Sequence, residues 1–481
     1  MGLRTLVSIT TLLIMSACYP SNVCSFPSFS ELTHSDFDQR FETKFDAVGL
    51  DAVAYAVIEQ GEVIHSNTIG RDGEALALDT PLRFASITKA LTGVILVQLN
   101  AEGILDLDAS VLTYLPDANL PAEVTVRQLA AHTSEGSPGA EYVYGTQRFA
   151  LIEDIIETVT DNSLEQAFRS RIAVPSGMNW YDSPSLGSHA GFVSTVSDMA
   201  LFAATLQSGR LIADNRLSEL TAPYPLKNGK DGPVSLGFFT QVIGDERILW
   251  SFGQDDPDHS SALFLHLPKR RLSFVLLANT DALSNPFRLM MGDLRTSAFA
   301  LAFLDTYAPD IAIKIPETDR ALSRILTAAW TEDFPSASKE FEQLKEASPQ
   351  AFEEPDRLVL HFAAMNLQGG ADPMIDAFND RVLAAHPNNK WVLLAASGYF
   401  ERTSRDDEAF LLYQRIIDLP NQEEDFLRRL FLAWAYRDQA RIMMGSDLEA
   451  AAELLDKGLA TGVRGETRQQ LLDLKNGLAQ P

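Results

Sequence analysis

The residues best suited to chemistry in this chain are Ser86 and Lys89, set in Phe84-Ala85-Ser86-Ile87-Thr88-Lys89-Ala90. Behind them Ala90, Leu91, Val94, Ile95, Val97 and Leu99 recur at three- and four-residue spacing, with Gly103 as a stop, which predicts a helix. Ser86 falls at or near the N-terminus of that helix, where unpaired backbone N–H groups and the dipole favour a developing negative charge. Lys89 lies three residues on and so projects from the same face. An amine buried among apolar groups loses its proton more readily and can then accept the serine's, turning a poor nucleophile into a good one. The same spacing also fits an N-cap serine followed by a surface lysine, so the flanking chain carries the decision.

The pair needs a scaffold, and strand signals lie on both sides of it. Ala52 to Ile58 reads as a buried strand, Gln60-Gly61 as a turn and Val63 to Ile69 as its return. Val124 to Ala131 is a short helix ending at His132-Thr133-Ser134. A loop follows, then Tyr142-Val143-Tyr144-Gly145-Thr146, then an amphipathic helix from Phe149 to Val159. Phe238 to Ile243 and Ile248 to Phe252 form a hairpin around Gly244-Asp245. Ala262 to Leu267 and Leu272 to Leu277 form another across Pro268-Lys269-Arg270. These strands predict one antiparallel sheet, N- and C-terminal strands together, flanked by helices: an α+β arrangement.

The order of these segments resembles the penicillin-binding-protein and class C β-lactamase superfamily of serine hydrolases. Phe84-Ala85-Ser86-Ile87-Thr88-Lys89 matches its first motif. Leu129-Ala130-Ala131-His132-Thr133-Ser134 resembles its Leu-Leu-x-His-Thr-Ser segment. Tyr144-Gly145-Thr146 stands where the family has Tyr-Ser-Asn, and Ala190 to Ala200 resembles its Gly-Gly-Leu-x-Ser-Thr-x-x-Asp segment. The resemblance covers about residues 45–305. It implies an acyl-enzyme on Ser86, with Lys89 and the Tyr144 phenol sharing the proton traffic and the base left open between them. It also implies an oxyanion site between the backbone N–H groups of Ser86 and Gln254, just past Gly253, with Thr146 at a substrate-binding position. No cofactor or metal is expected.

Two departures stand out. Ser251 occupies the place of the third motif's Lys or His in Trp250-Ser251-Phe252-Gly253-Gln254, and Thr146 replaces Asn. Their loss weakens recognition of a β-lactam or of D-Ala-D-Ala more than it weakens ester hydrolysis. The resemblance makes His132 a support for its loop. His259, in Asp255-Asp256-Pro257-Asp258-His259, reads either as a substitute for the missing base or as a solvated loop residue, and the acidic loop lacks metal-ligand spacing. Two functions stay open: an esterase-like or D-Ala-D-Ala-peptidase-like acyl hydrolase acting on a small-molecule or peptide substrate, and a catalytically silent binding protein of the cell envelope.

Acidic residues outnumber basic ones, 65 against 39, and leave no basic stripe to neutralise phosphates, so no nucleic-acid partner is expected. The first residues give a basic start, an apolar run from Thr5 to Met15 and then Ser16-Ala17-Cys18. Residues 1–17 therefore read as a secretory signal. Met15-Ser16-Ala17-Cys18 resembles a bacterial lipobox, with Cys18 lipidated and the protein held at the periplasmic face of a membrane by that anchor alone. Ordinary cleavage, leaving a soluble protein with a Cys18–Cys24 pair, is the alternative. Residues 18–45 read as a tether and first helix, and 46–308 as the hydrolase domain.

From 315 to 481 strand signals vanish. Ser348-Pro349, His386-Pro387 and Leu419-Pro420 each close a helix, at spacings near the tetratricopeptide period of about 34 residues. Ala337, Phe341, Leu344 and Pro349 fit that repeat's second helix, and Ala409-Phe410, Tyr413, Ile417 and Pro420 are a shifted copy. A helical-repeat domain with a protein partner is one reading, and a helical cap packed on the hydrolase domain is the other. Trp391 and Trp434 read as core residues.

Overall fold

Alternation along one strand sorts the core into two layers. In β1 (Ala52–Glu59), Val53, Tyr55 and Val57 join one apolar cluster while Ala52, Ala54, Ala56 and Ile58 join the other. The structure is a computed structural model that describes residues 29–71, 73–255, 260–367, 369–419 and 426–478; Cys18, Cys24, His259 and the N-terminal signal lie outside them. β1 pairs with β2 (Glu62–Gly70) and with β6 (Leu272–Ala278). The sheet continues through β5 (Ser260–Leu267), β4 (Glu246–Asp255) and β3 (Phe239–Ile243) in the order β2-β1-β6-β5-β4-β3, antiparallel throughout. First and last strands of the sheet region thus lie side by side, as the sequence predicts.

The alanine-rich face of β1 receives α4 (Val196–Gln207), because small side chains let a helix approach closely, and α2 (Thr88–Ala101) joins the same apolar layer. α2 is buried on nearly every side, which is why its sequence is apolar all round. Gly93 lets α2 touch the segment that precedes β3, since a Cβ there would fall 1.8 Å from the Leu236 carbonyl oxygen. α3 (Gln147–Thr160) completes this layer, burying Phe149, Ile152, Ile155 and Ile156.

The opposite face takes α1 (Phe29–Val48) and α5 (Ala298–Tyr307). Phe37, Phe41, Phe45 and Val48 form a buried stripe at helical spacing, and Phe37 meets Tyr55 and Phe274 edge-on at 5.4 and 5.8 Å. The first helix therefore belongs to the sheet's outer layer and runs to Val48. An expected boundary at 45/46 would cut through this stripe.

Beyond Pro309 the described chain is helical. α6 (Glu317–Trp330), α7 (Phe334–Ala347), α8 (Leu358–Leu367), α9 (Pro373–Ala385), α10 (Lys390–Arg402), α11 (Asp406–Asp418), α12 (Phe426–Met443), α13 (Leu448–Ala460) and α14 (Gly465–Leu478) follow one another. α7, α9 and α11 end just before the predicted Pro stops. The outer-face core runs on without a break through Leu322, Phe341, Phe378, Tyr399 and Phe431, so helices and sheet share one apolar cluster. Polar ties reinforce the junction: fully buried Asp319 of α6 pairs with Arg295 at 2.9 Å and with Arg357. No helix among the described residues is long and apolar enough to cross a membrane.

Candidate active site

Ser86 sits in a single 3₁₀ turn, Ala85–Ile87, that leads into α2. Ala85 is held at φ +44°, a left-handed conformation that alanine avoids. Its neighbours enforce this. The Phe84 N–H donates to the Phe192 carbonyl at 2.9 Å, the Thr88 hydroxyl to the Ala85 carbonyl at 2.6 Å, and the Ser260 hydroxyl to the Arg83 carbonyl at 3.0 Å. Phe84, Ala85 and Ile87 are buried, while Ser86 keeps part of its surface open.

Lys89, 2 % exposed, places Nζ 2.9 Å from Ser86 Oγ and 2.9 Å from the His189 carbonyl oxygen, to which it donates. The rings of Tyr144 and Phe149 flank the amine at 5.2 and 5.7 Å. Burial in this apolar setting lowers the Lys89 pKa to about 7. Tyr144 is also buried. Desolvation pushes its phenol up to about 12, and the adjoining Ser86 hydroxyl opposes that rise. Neutral amine and protonated phenol are therefore both accessible at ordinary pH.

His132 carries the loop that presents Tyr144. Its carbonyl accepts the Val143 N–H at 2.9 Å, its Nδ1 accepts the Gly145 N–H at 3.4 Å, and its ring lies 4.7 Å from that of Tyr144. Burial first, then the charges of Lys89 and Lys390, hold its imidazole well below the ordinary histidine pKa, in the neutral form that can accept. Thr146 stands half-buried at the start of α3.

Strand β4 closes the other wall. A Cβ on Gly253 would lie 2.2 Å from the Phe84 carbonyl oxygen and 3.3 Å from the Ala85 side chain, so strand and serine turn touch backbone to backbone. That contact brings Gln254 up to the Ser86 turn. Ser251 is 2 % exposed and uncharged, and the Phe252 ring lies tilted 5.8 Å from that of Tyr144 within a group that includes Phe239 and Trp250, 4.3 Å apart.

A family described as Beta-lactamase matches residues 37–290, just over half of the chain. The chain belongs to the β-lactamase family. Among curated proteins, this β-lactamase-family chain is 24 % identical over 187 residues to a penicillin-binding protein 4 of Amycolatopsis lactamdurans, covering 30 % of the chain and 48 % of that protein. It is 22 % identical over 245 residues to a D-aminopeptidase of Gluconobacter oxydans (strain 621H), covering 43 % of the chain and 45 % of that protein. The chain thus spans less than half the length of these relatives. Among solved structures, the octameric penicillin-binding protein homologue from Pyrococcus abyssi overlays with a TM-score of 0.49 at 16 % identity, covering 60 % of this chain and 81 % of that one.

Ser86, Lys89, Tyr144, Gly253 and Gln254 are all brought to one place. Two participants escaped the sequence reading. The His189 carbonyl is a main-chain group, which no side-chain pattern announces. Lys390 opens α10, in a region read separately from the site, yet its Nζ lies 3.9 Å from where a Cβ on Gly145 would sit.

Proposed function

We propose that this protein is a serine acyl hydrolase. The observation that carries the reading is the 2.9 Å approach of a Lys89 amine with a pKa of about 7 to the Ser86 hydroxyl. Neutral Lys89 takes the Ser86 proton as Oγ attacks the substrate carbonyl carbon. The oxyanion so formed is stabilised by the backbone N–H groups of Ser86 and Gln254. Collapse breaks the bond to the leaving group, which takes a proton from the Tyr144 phenol, itself resupplied from Lys89. Water then attacks the acyl-Ser86 carbonyl, passes its proton back by the same route and releases the acid. The phenol's pKa of about 12 favours it as donor rather than base.

Esters and amides of small acyl groups or short peptides are the substrate class. The name of the Gluconobacter relative supports an amide-type bond. We further propose export through residues 1–17 with a lipid anchor on Cys18, and a protein-binding role for the helical repeats. A silent binding protein is the second reading, favoured by uncharged Ser251 in the third motif.

Incubation with a fluorophosphonate, followed by intact-protein mass measurement, separates the two. The expected result is one covalent adduct on the native protein and none on Ser86→Ala. No adduct on either, together with no esterase turnover, would favour the silent binder.

A further inference from the structure

The peptide unit that joins Tyr142 to Val143, one residue before the phenol that serves Ser86, is gripped at both ends. Its N–H donates to the His132 carbonyl at 2.9 Å, within the hydrolase region. Its C=O points the opposite way, as a trans peptide requires, and accepts from the side-chain amide of Asn389 at 3.5 Å. Asn389 belongs to the turn between α9 and α10, so the second grip comes from the helical region.

Asn389 is 2 % exposed and caps α10, its Oδ1 accepting the N–H groups of Trp391 and Val392. Asp372 and Asp447 cap α9 and α13 in the same way, each taking two N–H groups on one carboxylate oxygen. Capping therefore needs only the acceptor, and an aspartate serves it as well. What asparagine adds is an NH₂ donor, and a buried donor costs free energy unless it finds an acceptor. Among the described residues that acceptor is the carbonyl of Tyr142, on the loop that carries Tyr144.

The rest of the turn bears on the same loop. Asn388 offers backbone and side-chain N–H groups to the buried Glu141 carboxylate, and its Nδ2 lies 3.1 Å from where a Cβ on Gly136 would sit. The turn is itself held in place, since the Arg415 guanidinium donates to the Pro387 carbonyl at 2.8 Å. Within the hydrolase region the Gly145 N–H reaches His132 Nδ1 at 3.4 Å, and the Tyr142 phenol donates to the Met290 carbonyl at 2.7 Å. Tyr144 thus stands between residues that are fixed on either side of it in the chain. Resting on the hydrolase reading above, we infer that Asn389 is a positioning residue for the reaction, acting on Tyr144 through the Tyr142–Val143 peptide. The helical region is then a working part of the active-site scaffold.

The test assays the full-length protein with p-nitrophenyl acetate, the Ser86→Ala protein setting the background. Asn389→Ser and Asn389→Asp keep a capping oxygen and lose the donor, so the melting temperature should stay close to native. The expected result for Asn389→Ser is a fall in kcat of about tenfold, with KM within about twofold of native. Asn389→Asp should fall further, because it sets a carboxylate against the Tyr142 carbonyl. In a Tyr144→Phe background the same substitutions should change kcat by less than about twofold, since a residue that acts through the phenol has nothing left to position. An unchanged kcat, an equal fall in both backgrounds, or loss of folding in both Asn389 variants overturns the inference. Native protein that turns over no faster than Ser86→Ala sinks the hydrolase reading and the inference with it, whereas turnover without this coupling sinks the inference alone.

Discussion

The two walls around Ser86 are built from different materials. On one side, the arrangement depends on side-chain identity: an amine at Lys89, a phenol at Tyr144, and an imidazole at His132 that props the phenol. On the other, strand β4 offers Ser86 mainly backbone: a glycine with no side chain and the N–H of the residue after it. Oxyanion support by main-chain N–H groups is indifferent to the side chains beside it, provided the strand keeps its place. This explains how Ser251 can depart from the family pattern while Gly253 is kept, since a Cβ on Gly253 would clash with the Phe84 carbonyl oxygen at the serine turn.

The sharpest cut at the first wall is Tyr144→Phe. The ring would keep its contacts with His132, Phe239 and Phe252, so the melting temperature should hold. Loss of the proton relay should lower kcat by about 10²–10⁴, with KM little changed. Steady-state kinetics on an activated ester checks this, and a loss below tenfold would mean that the phenol is only a packed aromatic.

The second wall is broken by Gly253→Ala. The new methyl would meet the Phe84 carbonyl oxygen at 2.2 Å, and no side-chain rotation can relieve a clash with backbone, so strand or turn has to move. A displaced Gln254 N–H should cost about 10²–10³ in kcat, the scale of one oxyanion donor. Ser251→Ala, on the same strand and facing no such contact, should leave kcat unchanged. If the two variants behave alike, the backbone account of this wall is wrong.

How much of this was legible beforehand follows the same division. The strands announced themselves through alternation and turn residues, and the sheet order follows from pairing the first strand with the last. Ser86, Lys89 and Tyr144 were legible because side-chain chemistry leaves a pattern in the sequence. The role of Gly253 was visible only as a letter kept in place; its reason, a backbone contact with Phe84 across about 170 residues of chain, needs the fold. The His189 carbonyl was hidden because any residue has one. Lys390 was hidden because a lysine opening a helix reads as a solvated surface group until the apolar cluster shared by sheet and helices folds it back onto the loop. The same cluster decides that the helices pack on the hydrolase region, which periodicity alone left open.

The smallest effect, and the one that separates the two walls most cleanly, is the pH profile. The base must be neutral to accept the Ser86 proton, and burial lowers the Lys89 pKa to about 7. Below that value the amine is charged, so kcat/KM should fall tenfold per pH unit; above it the profile should be flat. Tyr144 acts protonated, and with its pKa pushed up to about 12 it should add no descending limb in the usable range. The main rival for a limb near neutrality is a histidine, whose ordinary pKa is about 6.5. Among the described residues, both histidines near Lys89 are excluded by the same burial that tunes the lysine: His132 is held well below its ordinary pKa, and His189 is lowered to about 4. His189→Gln keeps the carbonyl that Lys89 contacts and removes the imidazole, so the limb should stay in place. A limb that shifts or vanishes in His189→Gln would transfer the proton chemistry from the lysine to the histidine. Gly253→Ala, by contrast, should lower the whole profile without moving its midpoint, because it disturbs the backbone wall and leaves the titrating one alone.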